Sequence, residues 1–547
     1  MADKAIIIDG QQRLTTLSIL VKALYDSISV EDKTNKLIND AIDSLFYTLR
    51  SSDSKYLLSI NHSYNDRKQF ETVIGTVVDG KISSPIIQDL DLIDDKDPAM
   101  LVKRCYKFFY TMLKKESNNE RIKLWDNLFD KDNKILVVID LDENDQEQKI
   151  FDTINSSGVR LTSTDIIKNA LYQKLIEITK NQDLVASYYQ ETWFKTFEKD
   201  DNAAYWNAEK SVGRLMRQNS ELFLQAMAII KGIFDFENHT IQQLADLYKE
   251  KIRTFNEQEL KDFIGEIVCC AQIYKDHIPD FNGKESFEYN NDDLEAVDQR
   301  VAHILDRNDI STFNPYIIYI FKEYAGQDSL IIEKLRELEK YVMSYLITKT
   351  PIKNFNKDCI TFIKDKAGNE IKKRIKEFNS AQLEGGIAEN ITNKLGAEIL
   401  FWIELKRRFD EKKHDMKMLQ YNYQLEHIMP QKWEENWNPD IVPYVDEQGN
   451  ELPKDEDSKK KRYQKIYSLG NMTLLNGKLN ASISNNSFYK KMNGDGKKKG
   501  VKDYSSLYIT RKDIVEKIYD KQKKWNEQTI IEREKQLGKE VVELWGN

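Results

Sequence analysis

An acid and a histidine stand side by side in the segment LEHIMP, in the C-terminal third of the chain. Glu426 offers carboxylate oxygens that suit a hard divalent cation, and the imidazole of His427 can take a proton from water. Pro430 indicates that the chain leaves a strand and enters a loop just after the pair. By itself, the dipeptide is also typical of a histidine that only supports the fold. Other residues must therefore decide between the two interpretations.

The cysteines and histidines limit the kind of metal that such a site could hold. The four cysteines have no CxxC spacing, and no two of the six histidines lie three to five residues apart. A zinc site built from thiolates or paired imidazoles is therefore not indicated. Carboxylate and amide oxygens remain as ligands, and they favour magnesium or manganese.

Two asparagines nine positions apart, Asn471 and Asn480, follow in LGNMTLLNGKLN, and Ser484, Phe488 and a lysine pair come next. The array EHxxP, then LGN, then an asparagine followed by SxxxFxxK resembles the HNH nuclease family. It is most similar to the C-terminal nuclease domain of the modification-dependent restriction enzymes of the GmrSD type. Several spaced elements agree in order over about residues 416–492, which makes the resemblance specific.

The resemblance implies a ββα-metal finger that holds one divalent cation, Mg²⁺ or Mn²⁺. Glu426 and Asn480 would be the protein ligands, and His427 would be the general base for the attacking water. Asn471 would complete the catalytic set as a structural amide that holds in place the loop opposite the histidine. The family often has aspartate where this chain has Glu426, so the longer side chain could bind the metal directly or through water.

A strongly basic stretch contains Asn471 and Asn480. Between Lys459 and Lys502 there are twelve lysines and arginines and a single acid, Asp495, in a chain whose formal net charge is −8. Such a local excess of positive charge suits contact with the phosphates of double-stranded DNA. The alternative interpretation is a solvated lysine-rich loop. We expect Lys490 and Lys491 to contact phosphate as point charges, without reading the bases.

A second candidate site begins the chain, in the segment AIIIDGQQRLTTL at residues 5–17. The pattern predicts a strand, a turn and then an amphipathic helix. Gly10 permits a tight turn, and the backbone N–H groups that follow lie at a helix N-terminus. Arg13 adds a guanidinium group that can donate two parallel hydrogen bonds to a phosphate. A capped strand-to-helix turn with no ligand is the alternative.

A second segment, IFDTINSSGVRLTSTDIIKNAL at residues 150–171, follows a second predicted strand at residues 134–141, and its Asn155, Ser156 and Gly158 predict a polar turn. Thr162 and Asp165 have the spacing of a helix-capping box. With DGQQR, this segment resembles the N-terminal domain of the same GmrSD-type enzymes, a ParB-like fold in which DGQQR is tied to nucleoside triphosphate binding and hydrolysis. The resemblance implies a nucleotide site formed by Asp9, Gly10, Gln11, Gln12, Arg13, Asn155 and Gly158.

Only five residues precede the first predicted strand, whereas members of the family usually carry an upstream segment with a YQR-like element. We therefore expect a truncated or split form, a partner that supplies the missing segment, or a homo-oligomer.

These elements predict an α+β protein that is predominantly helical, with three domains. Residues 1–180 would form the ParB-like α/β domain. Residues 181–410 carry successive helical patterns and would form a helical middle domain. Residues 411–547 would form the ββα-metal HNH domain, which ends in one long charged amphipathic helix.

The chain has no apolar run long enough to cross a bilayer and no leader pattern, which predicts a cytoplasmic protein. The resemblance implies an NTP-regulated, metal-dependent DNA endonuclease of anti-phage defence that cuts modified phage DNA. One alternative is a non-cleaving, nucleotide-sensing DNA-binding protein with an idle nuclease domain. Another is a nucleotidyl- or phosphotransferase at DGQQR, which rests on fold analogy alone.

Overall fold

The structure is a computed structural model, and its contacts divide the chain into two compact units, Met1–Leu161 and Thr162–Asn547. The division into three domains stays a prediction. In the second unit the structure describes residues 162–212, 215–411, 417–483, 485–494 and 499–547. In the first unit it describes residues 7, 10–28, 42, 45–50, 55–60, 64–78, 81–83, 86, 90–94, 100–130, 132–133, 135–136 and 138.

The described residues are predominantly helical, and the strands are short and pair as antiparallel ribbons of two. The α-helices are α1 Gln11–Ser27, α2 Tyr64–Ile74, α3 Leu101–Leu113, α4 Asn118–Phe129, α5 Ser163–Thr179, α6 Gln182–Tyr189, α7 Asp201–Asn207, α8 Asn219–Ile230, α9 Leu244–Ile252, α10 Glu257–His277, α11 Leu294–Arg307, α12 Asn314–Glu323, α13 Asp328–Ile347, α14 Phe355–Lys364, α15 Asn369–Ile375, α16 Ser380–Ala388, α17 Asn393–Asp410, α18 Glu456–Ile466, α19 Gly477–Ile483, α20 Phe488–Asn493, α21 Val501–Tyr504, α22 Tyr508–Thr510 and α23 Glu527–Trp545.

The strands are β1 Tyr47–Arg50, β2 Lys55–Leu58, β3 Thr76–Val78, β4 Lys81–Ser83, β5 Glu209–Val212, β6 Leu215–Gln218, β7 Ser286–Phe287, β8 Leu419–Gln420, β9 Tyr423–His427 and β10 Met472–Asn476. Two π-helical segments, Gln190–Glu198 and Arg511–Tyr519, and 3-10 turns complete the regular structure of the described residues. The predicted class, α+β and predominantly helical, is confirmed.

The first unit packs α1 against α3 around a core that includes Leu24, Tyr106 and Trp125. The helix predicted after DGQQR is confirmed as α1. The strand predicted before it lies outside the described residues except for Ile7, which has no regular structure. The strand predicted at residues 134–141 is wrong at the described positions 135, 136 and 138. They have no regular structure, because no described strand pairs with them there.

The second unit contains the helices predicted for the middle of the chain, among them α8, α10, α13 and α17. Its first helix, α5, begins at the predicted capping box. The Thr162 hydroxyl accepts from the Asp165 amide at 3.1 Å, and the Asp165 carboxylate accepts from the Thr162 amide at 3.3 Å. The side chains thereby satisfy donors that the first turn leaves without partners. Among the described helices, none combines the length and apolar character that a membrane crossing requires.

The single long helix predicted at the C-terminus is wrong, because the helical structure is interrupted between Tyr519 and Glu527. Asn526 caps α23 by accepting from the Thr529 amide at 3.2 Å. Just before this cap, Trp525 is buried and donates its indole N–H to the Asn471 side chain at 3.0 Å. The chain therefore turns inward at Trp525, and this burial interrupts the helix.

The β9–β10 ribbon carries the EH pair, and α19 follows β10 directly. His427 lies opposite Met472, and Glu426 lies opposite Thr473. Successive strand residues point to opposite faces. Leu474 accordingly joins the larger, helical core, whereas Leu475 joins a smaller core that contains Trp433, Trp437 and Trp525. The ribbon therefore contributes to both of these cores.

Candidate active site

The side chains of the EH pair, at the end of β9, contact different neighbours. His427 meets Asn393 at the first turn of α17, and Glu426 meets Lys491 on α20. Alternation along the strand explains this divergence. The structure thus places the carboxylate and the imidazole at the end of one strand, where each has its own polar neighbours.

The ring of His427 is buried and contacts polar groups at both nitrogens. Nδ1 lies 2.8 Å from the carbonyl oxygen of Ile466, the last residue of α18. Nε2 lies 3.1 Å from Oδ1 of Asn393 and 3.3 Å from Nε2 of Gln431. A carbonyl oxygen can only accept, so Nδ1 carries a proton and donates it to Ile466. In the neutral ring, Nε2 is therefore the basic nitrogen.

Burial lowers the pKa of His427, because the imidazolium would lose its hydration. The hydrogen bond to Ile466 opposes this shift, and the positive charge of Lys491 adds to it. The neutral ring with a lone pair on Nε2 is the form that a general base requires. The amides of Asn393 and Gln431 can turn either an oxygen or a nitrogen toward Nε2, so they can accompany the ring in both protonation states.

Asn471 is a buried amide with all of its hydrogen-bonding capacity in use. Oδ1 accepts from the Met429 amide at 2.9 Å and from the Trp525 indole at 3.0 Å. Nδ2 donates to the Met429 carbonyl at 2.9 Å and to the Ile466 carbonyl at 3.1 Å. Asn471 therefore holds the loop after His427, and it shares with His427 the carbonyl that orients the imidazole.

Glu426 forms an ion pair with Lys491, whose side chain is fully buried. The ammonium engages Oε1 of Glu426 and also donates to the His427 carbonyl at 2.9 Å. Burial raises the pKa of Glu426, and the charge of Lys491 opposes that shift. Burial also lowers the pKa of Lys491, which the carboxylate opposes.

Asn480 lies on α19 beside the same strand. Its Nδ2 makes long contacts of 3.4 Å with Oε1 of Gln424 and with the Leu425 carbonyl. Its Oδ1 is buried and has no hydrogen-bond partner among the described residues. Gln424 and Glu426 share a face of β9 because they lie two residues apart. The structure therefore brings Asn480 to the face of Glu426.

The donor set of this face fits a hard divalent cation. An unsatisfied buried amide oxygen costs about 1–3 kcal/mol, which a cation at Oδ1 of Asn480 would offset. In the described part of the chain, the hydrogen bonds to Glu426 involve only Oε1, so Oε2 is available as a second oxygen ligand. The described residues contain no cluster of three or more His, Cys, Asp or Glu side chains suited to a metal. A cation here would keep several water ligands, as Mg²⁺ commonly does.

The structure separates the two lysines that were expected to contact phosphate. Lys490 is exposed, whereas Lys491 is buried against Glu426. The phosphate contact expected of Lys491 does not fit this arrangement, because its ammonium already serves two internal acceptors.

The basic stretch as a whole is divided in the same way. Arg462 is buried and donates to the Trp437 carbonyl at 2.6 Å, and Lys465 pairs with Glu534 at 2.9 Å. Other members are exposed on three helices and one loop, namely Lys459, Lys460, Lys461, Lys478, Lys490 and Lys499. Part of the stretch is therefore internal structure, and part is a surface suited to phosphate.

The DGQQR segment forms the turn that its glycine predicts. Gly10 precedes α1 with a φ of +87°, a conformation that glycine adopts without a steric penalty. Gln11, Gln12 and Arg13 form the exposed first turn of α1, and the Gln11 amide donates to the Ile7 carbonyl at 2.8 Å. Asp9, Asn155 and Gly158 lie outside the described residues. The nucleotide-binding role of these residues stays a prediction.

Sequence reasoning missed two amides beside the imidazole, Asn393 and Gln431. Gln431 lies four residues after His427, in EHIMPQ, so its proximity to the pair was a usable signal. Asn393 begins a helix in the middle of the chain, 34 residues before His427. No local spacing connects that residue with the pair.

Comparison with protein families gives two matches in the expected order. The model of the N-terminal domain of GmrSD restriction endonucleases matches residues 2–172, and the model of their C-terminal domain matches residues 376–540. Together the matches cover more than half of the chain, and the second includes α17 with Asn393. Comparison with curated proteins and with solved structures gives no match. The chain belongs to the GmrSD family of restriction endonucleases, a class of nuclease whose substrate is DNA.

Proposed function

We propose that the chain is a metal-dependent DNA endonuclease of the HNH type that is regulated by a nucleoside triphosphate and cuts modified phage DNA in anti-phage defence. The observation that supports the nuclease assignment is the state of His427. Its Nδ1 is held by the Ile466 carbonyl, so the basic Nε2 is presented at the end of the strand that also carries Glu426. Geometry of this kind suits the activation of a water molecule.

In the proposed reaction, Nε2 of His427 takes a proton from the water that attacks the phosphodiester. Glu426 and Asn480 would hold one Mg²⁺ or Mn²⁺ ion, which supplies positive charge for the phosphate and the leaving 3′ oxygen. Asn471 keeps the Ile466 carbonyl in place and so fixes the orientation of the imidazole. The amide of Gln431, which now contacts Nε2, must give its place to the water.

The order of elements supports the HNH type. The antiparallel strands β9 and β10 are followed by α19, and the proposed ligands come from β9 and α19. This is the strand, strand, helix arrangement expected of a ββα-metal finger.

The N-terminal unit would bind the nucleotide in a ParB-like domain. Gly10 opens the first turn of α1, where backbone N–H groups and the helix dipole favour a phosphate, and Arg13 is exposed in that turn. Asp9, Asn155 and Gly158 would complete this site. Exposed lysines such as Lys490 would contact the phosphates of double-stranded DNA.

Incubation of the purified chain with modified and unmodified phage DNA tests the proposal. Each DNA is combined with Mg²⁺, with Mn²⁺ or with a chelator, in the presence and absence of each NTP. We expect cleavage of modified DNA that requires the metal and responds to one of the nucleotides. DNA binding without cleavage under all of these conditions would favour a nucleotide-sensing DNA-binding protein with an idle nuclease domain.

A further inference from the structure

Lys491 and Lys490 are neighbours on the short helix α20, but they occupy opposite environments. The side chain of Lys490 is exposed, and that of Lys491 is fully buried. Membership of a basic stretch explains an exposed lysine. It does not explain an ammonium withdrawn from solvent.

Both internal partners of Lys491 belong to the EH pair. Its Nζ engages Oε1 of Glu426 and donates to the carbonyl of His427 at 2.9 Å. Burying an ammonium is unfavourable unless opposite charge and hydrogen bonds compensate for its lost hydration. The buried ammonium therefore places a positive charge directly beside the candidate metal ligand Glu426.

We propose that Lys491 is a positioning residue of the metal centre and not a DNA contact. This inference rests on the proposed function, because it assigns Lys491 a role toward the cation held by Glu426 and Asn480. Lys491 fixes one oxygen of the Glu426 carboxylate and the backbone at His427, and Oε2 is left for the cation. The positive charge beside Glu426 is thus supplied by a buried side chain of the protein itself, the ammonium of Lys491.

Two opposite consequences follow from this arrangement. The ammonium shares a carboxylate with the cation, and like charges repel, so Lys491 weakens metal binding. The same contact orients Glu426 and the end of β9, so Lys491 speeds the reaction of the metal-bound enzyme. A lysine that only stabilised the fold would not produce opposite effects on metal affinity and on turnover.

The variant Lys491→Met separates these effects, because methionine fills the space of the side chain without its charge. Calorimetric titration with MnCl₂ is expected to show at least tenfold tighter binding than wild type. At saturating Mn²⁺, kcat for DNA cleavage is expected to fall at least tenfold, whereas KM for DNA stays unchanged.

The matched control is Lys490→Met, one residue away. Its Mn²⁺ affinity should equal that of wild type. Its DNA binding, measured in EDTA by fluorescence anisotropy, should lose about 0.9 from the slope of log affinity against log salt, which is the loss expected for one phosphate contact. In the same assay, Lys491→Met should keep the wild-type slope.

If Lys491→Met folds poorly, a double-mutant cycle of unfolding stability still tests the inference. Urea midpoints are compared for Glu426→Gln, Lys491→Met and the double variant. Each single variant leaves one buried partner without its counterpart, so the double variant should have a higher midpoint than either single variant. Additive losses would show that the pair is not coupled, and they would overturn the inference.

The titrations also separate this inference from the proposed function. If wild type binds no Mn²⁺, the proposed metal site is wrong and the role of Lys491 fails with it. If wild type binds Mn²⁺ and Asn480→Ala weakens that binding, the metal site stands. In that case, wild-type Mn²⁺ affinity and a reduced salt slope in Lys491→Met would make Lys491 a DNA contact and would overturn the inference alone.

Discussion

The DGQQR turn and the β9–β10 ribbon use hydrogen bonds over very different distances along the chain. In the turn, Gln11 bonds to Ile7 and Thr15 bonds to Gln11, each across four residues. At the ribbon, Asn471, which directly precedes β10, contacts Trp525 across 54 residues, and Lys491 on α20 contacts Glu426 across 65. Substitutions in the ribbon should therefore change stability and chemistry together, whereas substitutions in the turn should change only ligand binding.

The largest expected effect is that of His427→Ala. Loss of the general base should slow DNA cleavage by about 10²–10⁴-fold, while DNA binding stays within a few-fold of wild type. Cleavage rates at saturating Mn²⁺ measure this effect. His239→Ala is the matched control, since the His239 ring accepts from the Asp235 amide in the loop after α8, outside the ribbon. Cleavage by His427→Ala close to the wild-type rate would remove His427 from the mechanism.

Asn471→Ala should show how tightly the ribbon couples stability to chemistry. It leaves the Met429 amide and the Trp525 indole without their acceptor, at a cost of about 1–3 kcal/mol in the free energy of unfolding. Urea unfolding measures the change. The exposed control Asn207→Ala, at the end of α7, should stay within about 0.5 kcal/mol of wild type. Equal stability of the two variants would contradict the role given to the Asn471 amide.

The pH dependence tests the environment of His427. Because burial lowers the pKa of His427 from its ordinary 6.5, the base should stay neutral below that pH. The acid limb of the rate profile at saturating Mn²⁺ should accordingly have its midpoint below pH 6.5. The unfolded chain binds the proton more readily, so this histidine's contribution to stability is lost as the pH falls below 6.5. An acid limb centred at or above neutral pH would contradict this environment.

Arg13→Ala should have the smallest effect on stability, because Arg13 is exposed at the start of α1. The free energy of unfolding should change by less than about 0.5 kcal/mol. Binding of a fluorescent NTP should fall, since the guanidinium offers charged hydrogen bonds to phosphate. Lys123→Ala, an exposed substitution on α4, is the control for a lost surface charge. If Arg13→Ala and wild type bind the nucleotide equally, DGQQR is a structural turn.

The contrast between the turn and the ribbon also explains what the sequence could predict. The Gly10 turn and the Thr162–Asp165 capping box were predictable because their partners lie within a few residues. The residue types at the ribbon were predictable from the spaced EH, LGN and Asn480 elements. Their partners were not, because the contacts of Asn393 and Lys491 depend on tertiary packing. The basic stretch suggested a phosphate contact for Lys491, which is buried, for the same reason. Local charge in the sequence does not distinguish an exposed Lys490 from a buried Lys491.

Glu426 and Asn480 are proposed to hold a cation on which cleavage depends, and the Mn²⁺ dependence of DNA cleavage tests this role most directly. The purified chain is chelated with EDTA and titrated with MnCl₂, alongside Asn480→Ala and the exposed control Asn450→Ala. We predict no cleavage in EDTA, full recovery with Mn²⁺, and a half-maximal Mn²⁺ concentration raised by more than about tenfold in Asn480→Ala alone. Cleavage that persists in EDTA, or one Mn²⁺ curve for all three proteins, would contradict the claim.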